Sequence, residues 1–176
     1  MPIKFQIKAF LESKNTLNII LNNTTLLENS DSIANYVNGS KWKQIREKYH
    51  GENIIPLWLY ADEFEINDTQ SSHSNRHSVC SIYYNFPTIP QEFKAKLSNI
   101  FVARMIKKVD FKDTDINKLL SILLEIFRSL EQDGIQINVH EKSVNVRIVL
   151  CLVQGDNLGM HTMLQFSSGF NATFYY

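Results

Sequence analysis

Two aspartates stand where long apolar runs give way to polar residues, and their positions suit metal chemistry. Asp62 follows the run "IIPLWLYA", and Asp156 follows "VNVRIVLCLVQ" and one glycine. Ligands of open α/β sheets bind beyond the carboxyl ends of the strands. If the two runs form neighbouring strands, the two carboxylates lie side by side despite their separation in sequence.

Such a pair of carboxylates indicates a site for a hard divalent cation. Two like charges held close together need a counter-charge, and Mg²⁺ and Mn²⁺ prefer carboxylate oxygen as a ligand. Two such ions can activate a water or a 3′-hydroxyl group and stabilise the leaving oxygen in phosphoryl transfer. The competing interpretation is that each aspartate has an ordinary structural role in a turn or a cap.

The N-terminal part of the chain is predicted to be helical. The chain has 176 residues, of which 44% are hydrophobic, enough for one sizeable core. Apolar residues recur at helical spacing in 3–11 and 17–24. Ser30 or Asp31 is expected to cap a third helix, which Gly39 interrupts before "KWKQIREKYH". We therefore separate a helical segment, 1–51, from a core, 52–176.

The core begins with three predicted strands. The first is "IIPLWLYA", whose continuous apolar run is typical of a strand covered on both faces. "SVCSIYYNF" and "NIFVARMI" follow. An amphipathic helix over "DINKLLSILLEIFRSLEQDG" ends at Gly134. Its predicted apolar stripe consists of Ile116, Leu119, Leu120, Leu123, Leu124, Phe127 and Leu130. The turn 140–143 then joins "IQINV" and "VNVRIVLCLVQ" as a hairpin, and a helix follows from Asn157.

This order matches the beginning of a ribonuclease H-like fold. A three-strand meander is followed by a helix, a strand and a helix, and the strand after the first helix pairs with the first strand. That pairing would place Asp62 and Asp156 on adjacent strands. The predicted fold class is therefore α/β, an incomplete ribonuclease H-like core preceded by an N-terminal helical segment.

Several short stretches, in the same order and at similar spacing, resemble a family of transposase-derived proteins from animal genomes. They include "GSKWKQ", "YADEFE", "SSH", "KLSNIF", "EQDGI" and "GDNLG". The family pattern has a strand ending in Asp-Asp-Phe-Glu, a loop closing in Ser-His, and Gly-Asp-Asn-Leu-Gly. The resemblance implies the catalytic core of a DDE-type transposase, which cleaves and transfers DNA strands with metal ions. It also implies DNA as a partner and an intracellular, nuclear protein.

The resemblance assigns roles to individual acids. It makes Asp62 and Asp156 the catalytic residues, and Asp62, Asp156 and Glu65 the ligands of Mg²⁺ or Mn²⁺. The family pattern continues beyond Tyr176 with a Cys-x-x-Cys pair and a third acid. We therefore expect a C-terminally truncated fragment that is not catalytically competent by itself. Its incomplete sheet would expose an edge for self-association. The alternative is a non-catalytic DNA- or protein-binding module.

A basic helical stretch provides the candidate nucleic-acid surface. Its cations could contact a phosphate backbone while the tryptophan stacks on a base. The residues are Lys41, Trp42, Lys43, Arg46 and Lys48. The competing interpretation is a solvated helix face with one buried tryptophan. The net charge of the chain is zero, so global charge gives no support to nucleic-acid binding.

The remaining candidates favour structural roles. His73 and His77 are four residues apart, but their polar surroundings indicate a loop rather than a metal-binding helix. Cys80 and Cys151 form neither a disulfide framework nor a zinc pattern, which fits a reducing intracellular compartment. No apolar run approaches the roughly 20 residues needed to span a bilayer, so we predict no membrane partner.

Overall fold

The structure, a computed structural model, describes residues 1–31, 35–65, 78–107, 116–140 and 142–155. Its α-helices are α1 (Ile3–Glu12), α2 (Thr16–Glu28), α3 (Ser40–Lys48), α4 (Gln91–Lys94) and α5 (Ile116–Gln132). Its strands are β1 (Asn53–Glu65), β2 (Ser78–Asn85), β3 (Phe101–Lys107), β4 (Ile135–Val139) and β5 (Lys142–Gly155). Short 3₁₀ helices precede α3 and β3, at Tyr36–Asn38 and Leu97–Asn99.

The described strands form one mixed sheet, so the predicted α/β class is confirmed. The strand order is β3-β2-β1-β5-β4. β1 pairs antiparallel with β2 and parallel with β5, and β4 forms the predicted hairpin with β5. The predicted pairing of the long last strand with the first strand is therefore confirmed. β4 lies at the edge of the sheet, outside β5.

β1 is covered on both faces only where it begins. Ile54 and Ile55 are both buried, as the continuous apolar run predicted. Further along, Leu59 and Ala61 are buried but Tyr60 is only partly covered. The predicted two-sided coverage is therefore wrong for the second half of the strand. The partly covered face leads toward Asp62.

The main core lies between one face of the sheet and helices α1, α2 and α5. The predicted apolar face of α1 is confirmed, since Ile3, Ile7 and Leu11 are all buried. The predicted stripe of α5 is wrong for Leu124, which is 38% exposed. A helix turns about 100° per residue, so Leu124 lies to one side of the buried Leu123. The buried strand residues of this core are Ile55, Leu57, Leu59, Ala61, Ile82, Tyr84, Ile106, Ile137, Val146 and Ile148.

The main core also crosses the predicted division at residue 51. Leu17 and Ile20 of α2 belong to the same buried cluster as the strands and α5. The composition change near residue 51 coincides with the change from helix to strand at Asn53. The two-part division remains a prediction about domains, but helices from the first part cover the sheet of the second.

A second, smaller cluster lies beneath α3. It consists of Val37, Trp42, Tyr49, Ile54 and Val149. The helix predicted to begin at Ser30 or Asp31 is wrong in the described part of that stretch, which contains only the 3₁₀ turn Tyr36–Asn38. Side-chain caps explain this turn. Asn35 accepts a hydrogen bond from the Val37 amide, and the Asn38 side chain accepts one from the Asn35 amide.

Two glycines end elements as predicted. Gly51 follows α3 with φ +80°, and Gly134 follows α5 with φ +75°. A Cβ at Gly134 would lie 2.7 Å from the Asn145 side chain, so this close approach also requires glycine. The hairpin turn is shorter than predicted, because β5 already begins at Lys142. The loop 67–77, the predicted cap of α5 and the final helix lie outside the described residues.

Candidate functional site

Asp62 lies near the end of β1 with its side chain exposed. Its backbone partner on β2 is Ser81, and Tyr60 is paired with Tyr83 in the same ladder. Alternate residues of a strand share a face, so Tyr83 lies beside Asp62 on that face. The Tyr83 hydroxyl donates a hydrogen bond to Asp62 Oδ2 at 3.3 Å.

The environment of Tyr83 keeps its phenol protonated. Burial raises the pKa of Tyr83, and the negative charge of Asp62 and the hydrogen bond to it raise this pKa further. The hydroxyl is therefore a hydrogen-bond donor throughout the neutral range. It orients one oxygen of Asp62. Among the described residues, no contact to the other oxygen, Oδ1, accompanies this hydrogen bond.

The pairing of β1 with β5 brings the ends of the two predicted acid-bearing strands together. Tyr60 lies opposite Gln154, and Ala61 lies opposite Gly155. Because the strands are parallel, both run toward the same end of the sheet, although β1 continues beyond Ala61 to Glu65, paired there with β2. Asp62 follows Ala61 in the sequence, as Asp156 follows Gly155.

A β-bulge sets this alignment. Leu57 pairs with Leu150, but Trp58 pairs with Leu152, so Cys151 is an extra residue in β5. Without the bulge, Ala61 would lie opposite Gln154, one residue short of the observed match. The side chains of β5 after Cys151 would also lie on the opposite face of the sheet, because a register shift of one residue turns every later side chain to the other side.

The complete predicted metal site extends beyond the described residues. Asp156 lies outside them, and so does the side chain of Glu65, whose backbone ends β1 opposite Ser78. The loop residues His73 and His77, which were not assigned to that site, also lie outside the described residues. The described part of the chain contains no group of three or more His, Cys, Asp or Glu side chains arranged to hold a metal ion. The Mg²⁺ or Mn²⁺ site therefore stays a prediction.

The cations of the basic stretch on α3 differ in their surroundings. Arg46 Nε lies 3.2 Å from a carboxylate oxygen of Glu28, and Lys48 Nζ lies 2.9 Å from one of Glu131. Lys41 and Lys43 are exposed. Folding therefore pairs two of the four cations with carboxylates. The surface that remains for phosphate contacts is smaller than the sequence suggested.

Trp42 is buried rather than exposed to solvent. It is 1% exposed and lies in the small cluster beneath α3. Its indole N–H donates a hydrogen bond to Glu28, and Tyr36 packs edge-to-face on its ring. This burial argues against the predicted stacking of Trp42 on a base. The physical reason is that Trp42 fills the space between α3 and the sheet, against residues such as Ile54 and Val149.

No protein family, curated protein or solved structure matches this chain. The transposase interpretation therefore stays a prediction, which depends on the resemblance of short sequence stretches. Within the described residues, no helix has both the length and the apolar composition required to cross a membrane.

Sequence reasoning missed Tyr83 as a site residue. The only available signal was its place in "SIYYNF", a predicted strand next to the one that carries Asp62. A sequence pattern does not give the register between strands, so it could not tell which of the two adjacent tyrosines faces Asp62. The structure separates them, because Tyr84 points into the main core.

Proposed function

We propose that this chain is a transposase-like, ribonuclease H-like core whose Asp62 and Asp156 bind a divalent metal ion, Mg²⁺ or Mn²⁺. The observation that carries the proposal is the parallel pairing that places Ala61 opposite Gly155. A central strand with a meander on one side and a parallel strand on the other supports the ribonuclease H-like topology. β4 is an addition at the edge of that arrangement.

The donor set suits such an ion. Aspartate oxygens are preferred ligands of hard cations, and the Asp62 side chain is exposed. Asp62 and Asp156 would hold the ion, and Tyr83 would fix the orientation of Asp62 through its hydrogen bond. When bound at such a site, the ion activates a water or a hydroxyl group and stabilises the leaving oxygen of a phosphodiester.

The parent fold carries out phosphoryl transfer on DNA, and for this chain we propose metal binding without catalytic competence of its own. DNA as a partner and a nuclear site of action follow from the transposase resemblance. The competing proposal, a binding module without chemistry, depends on the basic face of α3. On that face, Arg46 and Lys48 are paired with carboxylates. Trp42 is buried, so it does not contribute to the exposed surface. The pairing of β1 with β5 therefore makes the metal-binding core the stronger of the two.

Calorimetric titration of Mn²⁺ into the full chain tests the metal site. We expect saturable binding by the natural chain and at least about a tenfold loss of affinity in Asp62→Asn and in Asp156→Asn, since each removes one charged ligand. Asp133→Asn is the matched control, because Asp133 lies in the turn after α5 and pairs with Ser129. Absence of binding, or equal affinity in all four proteins, would contradict the proposal.

The two site variants also test the strand register separately. If Asp62→Asn loses Mn²⁺ and Asp156→Asn does not, a metal site exists at the end of β1 but Asp156 is not part of it. That outcome would remove the ribonuclease H-like pairing of acids while leaving a cation site. Loss in both variants, with unchanged thermal unfolding, is the result that we expect.

A further inference from the structure

A cleft of about 470 Å³ opens between the α1–α2 turn and the segment that joins β2 to β3. Its volume falls in the roughly 300–1,000 Å³ range of small-molecule sites. It lies beyond the end of β2 at Asn85, whereas Asp62 lies opposite Ser81 in the same strand. The cleft is therefore distinct from the candidate metal site.

The inner wall of the cleft is apolar and fixed by the main core. Ile20 and Ile89 line it and are buried members of that core. Phe10, another lining residue, stacks on Phe86 with 5.5 Å between the ring centroids. Phe93 completes the apolar surface from the side of α4. A wall held in this way offers an apolar ligand a surface that is already formed before binding.

The charged residues that line the cleft are both cations. They are Lys14 in the α1–α2 turn and Lys96 after α4, and among the residues that the structure describes no carboxylate lines the cleft with them. Lys96 Nζ lies 4.5 Å from the centroid of the Phe93 ring, which holds its ammonium group over an aromatic face. Neither lysine has a carboxylate partner among the described residues, unlike Lys48 on α3. Their charges are therefore left for an anion.

We propose that this cleft binds a small organic acid with an apolar body. The apolar wall takes the body of the ligand, and Lys14 and Lys96 take its anionic group. An inorganic anion would leave the wall unused, and a neutral apolar molecule would leave both charges unused. The polar residues Ser13, Thr16, Ser98 and Asn99 also line the cleft, and each already makes a hydrogen bond within the chain. The proposal does not depend on the metal site.

Fluorescence titration of the full chain with anilinonaphthalene sulfonate tests this site. The probe joins an aromatic body to one negative charge, and phenylnaphthylamine has a closely similar body without the charge. We expect saturable binding of the sulfonate at one equivalent, displacement by decanoate, and weaker binding of the neutral probe. Equal affinity for the two probes would overturn the anionic part of the proposal.

Two lysine variants and one control locate the charge. Lys96→Met keeps an apolar chain over Phe93, and Lys14→Asn suits the left-handed backbone at that position, where φ is +43°. We expect each variant to weaken sulfonate binding by about threefold to tenfold and to leave the neutral probe unchanged. Lys43→Met, on the exposed face of α3, should change neither. An unchanged sulfonate affinity in the double lysine variant would overturn the proposal.

A filling variant confirms the place of binding. Ile19 lines the cleft but is 37% exposed, so Ile19→Trp can occupy the cleft without disturbing the core. We expect it to weaken the binding of both probes while thermal unfolding and the far-ultraviolet circular dichroism spectrum stay unchanged. Full binding by this variant would show that the probes bind elsewhere and would overturn the proposal.

Discussion

Tyr83 and Asp62 form the described half of the candidate metal site, and their coupling can be measured. The charge of Asp62 is one cause of the raised pKa of Tyr83, after burial. Asp62→Asn removes that negative charge, which disfavours the ionised form of Tyr83. The pKa of Tyr83 should therefore fall toward its usual value. Ultraviolet titration, with Tyr83→Phe to identify the transition, measures the change. Asp133→Asn should leave the transition in place, and an unchanged pKa in Asp62→Asn would contradict the contact.

Cys151 and Tyr36 make stability depend on alkaline pH. Burial raises the pKa of the Cys151 thiol from 9.0 to about 12. The pKa of Tyr36 is raised from 10.0 to about 12, mainly by burial and in second place by its interaction with Cys151. The folded chain therefore keeps protons that the unfolded chain releases. The free energy of unfolding should be intact below about pH 9 and should fall as pH rises from 9 to 12.

Urea unfolding at a series of pH values checks this alkaline loss. Cys151→Ala keeps the extra residue of the bulge and removes the thiol, so its stability should fall less steeply between pH 9 and 12. Tyr36→Phe should make the curve less steep above pH 10, where the raised pKa values of Tyr83 and Tyr84 still contribute to the loss. A wild-type curve that stays level up to pH 12 would contradict the burial of both groups.

At the scale of elements, Arg147 of β5 ties α5 to the sheet and to the end of α3. Its guanidinium donates to the Glu131 carbonyl at 2.8 Å and to the Gln132 carbonyl, and it pairs with Glu52. It also lies over the Tyr49 ring, 4.9 Å from the centroid. Arg147 thus satisfies carbonyls that the end of α5 leaves without helical partners.

Replacing Arg147 should weaken these connections. We expect Arg147→Met to lower the free energy of unfolding by about 2–3 kcal/mol, because several charge-assisted hydrogen bonds are lost together. Arg128→Met, at an exposed position of α5, is the control and should change stability by no more than about 0.5 kcal/mol. Urea denaturation measures both, and equal effects would show that the Arg147 contacts contribute little.

At the scale of the whole molecule, the N-terminal helices and the sheet share the main core, so they should unfold together. Leu11 is fully buried in α1, and we expect Leu11→Ala to cost about 2–5 kcal/mol. Far- and near-ultraviolet circular dichroism should follow one transition. Leu26→Ala is the control, since Leu26 of α2 is 71% exposed. Two separate transitions would indicate that 1–51 folds independently of the rest.

Most helices and strands, and several of their ends, follow from local patterns in the amino-acid sequence. Apolar spacing is a local property, so the faces of α1 and the strand pattern of β1 and β2 were readable without coordinates. The ends of elements at Gly51 and Gly134 could be predicted for the same reason, since each glycine takes a backbone angle that other residues avoid. The 3₁₀ turn at Tyr36–Asn38 was missed, because its reciprocal caps involve Asn35 and Asn38 rather than apolar spacing.

The contacts between remote residues, by contrast, follow from the folded arrangement of the chain. The extra residue Cys151 aligns Ala61 with Gly155, the Tyr83 hydroxyl reaches Asp62, and Trp42 turns inward beneath α3. The cleft with Lys14 and Lys96 likewise joins segments that are far apart in the chain. Register and burial depend on contacts between remote segments. Local pattern carries no information about such contacts until the sheet has formed.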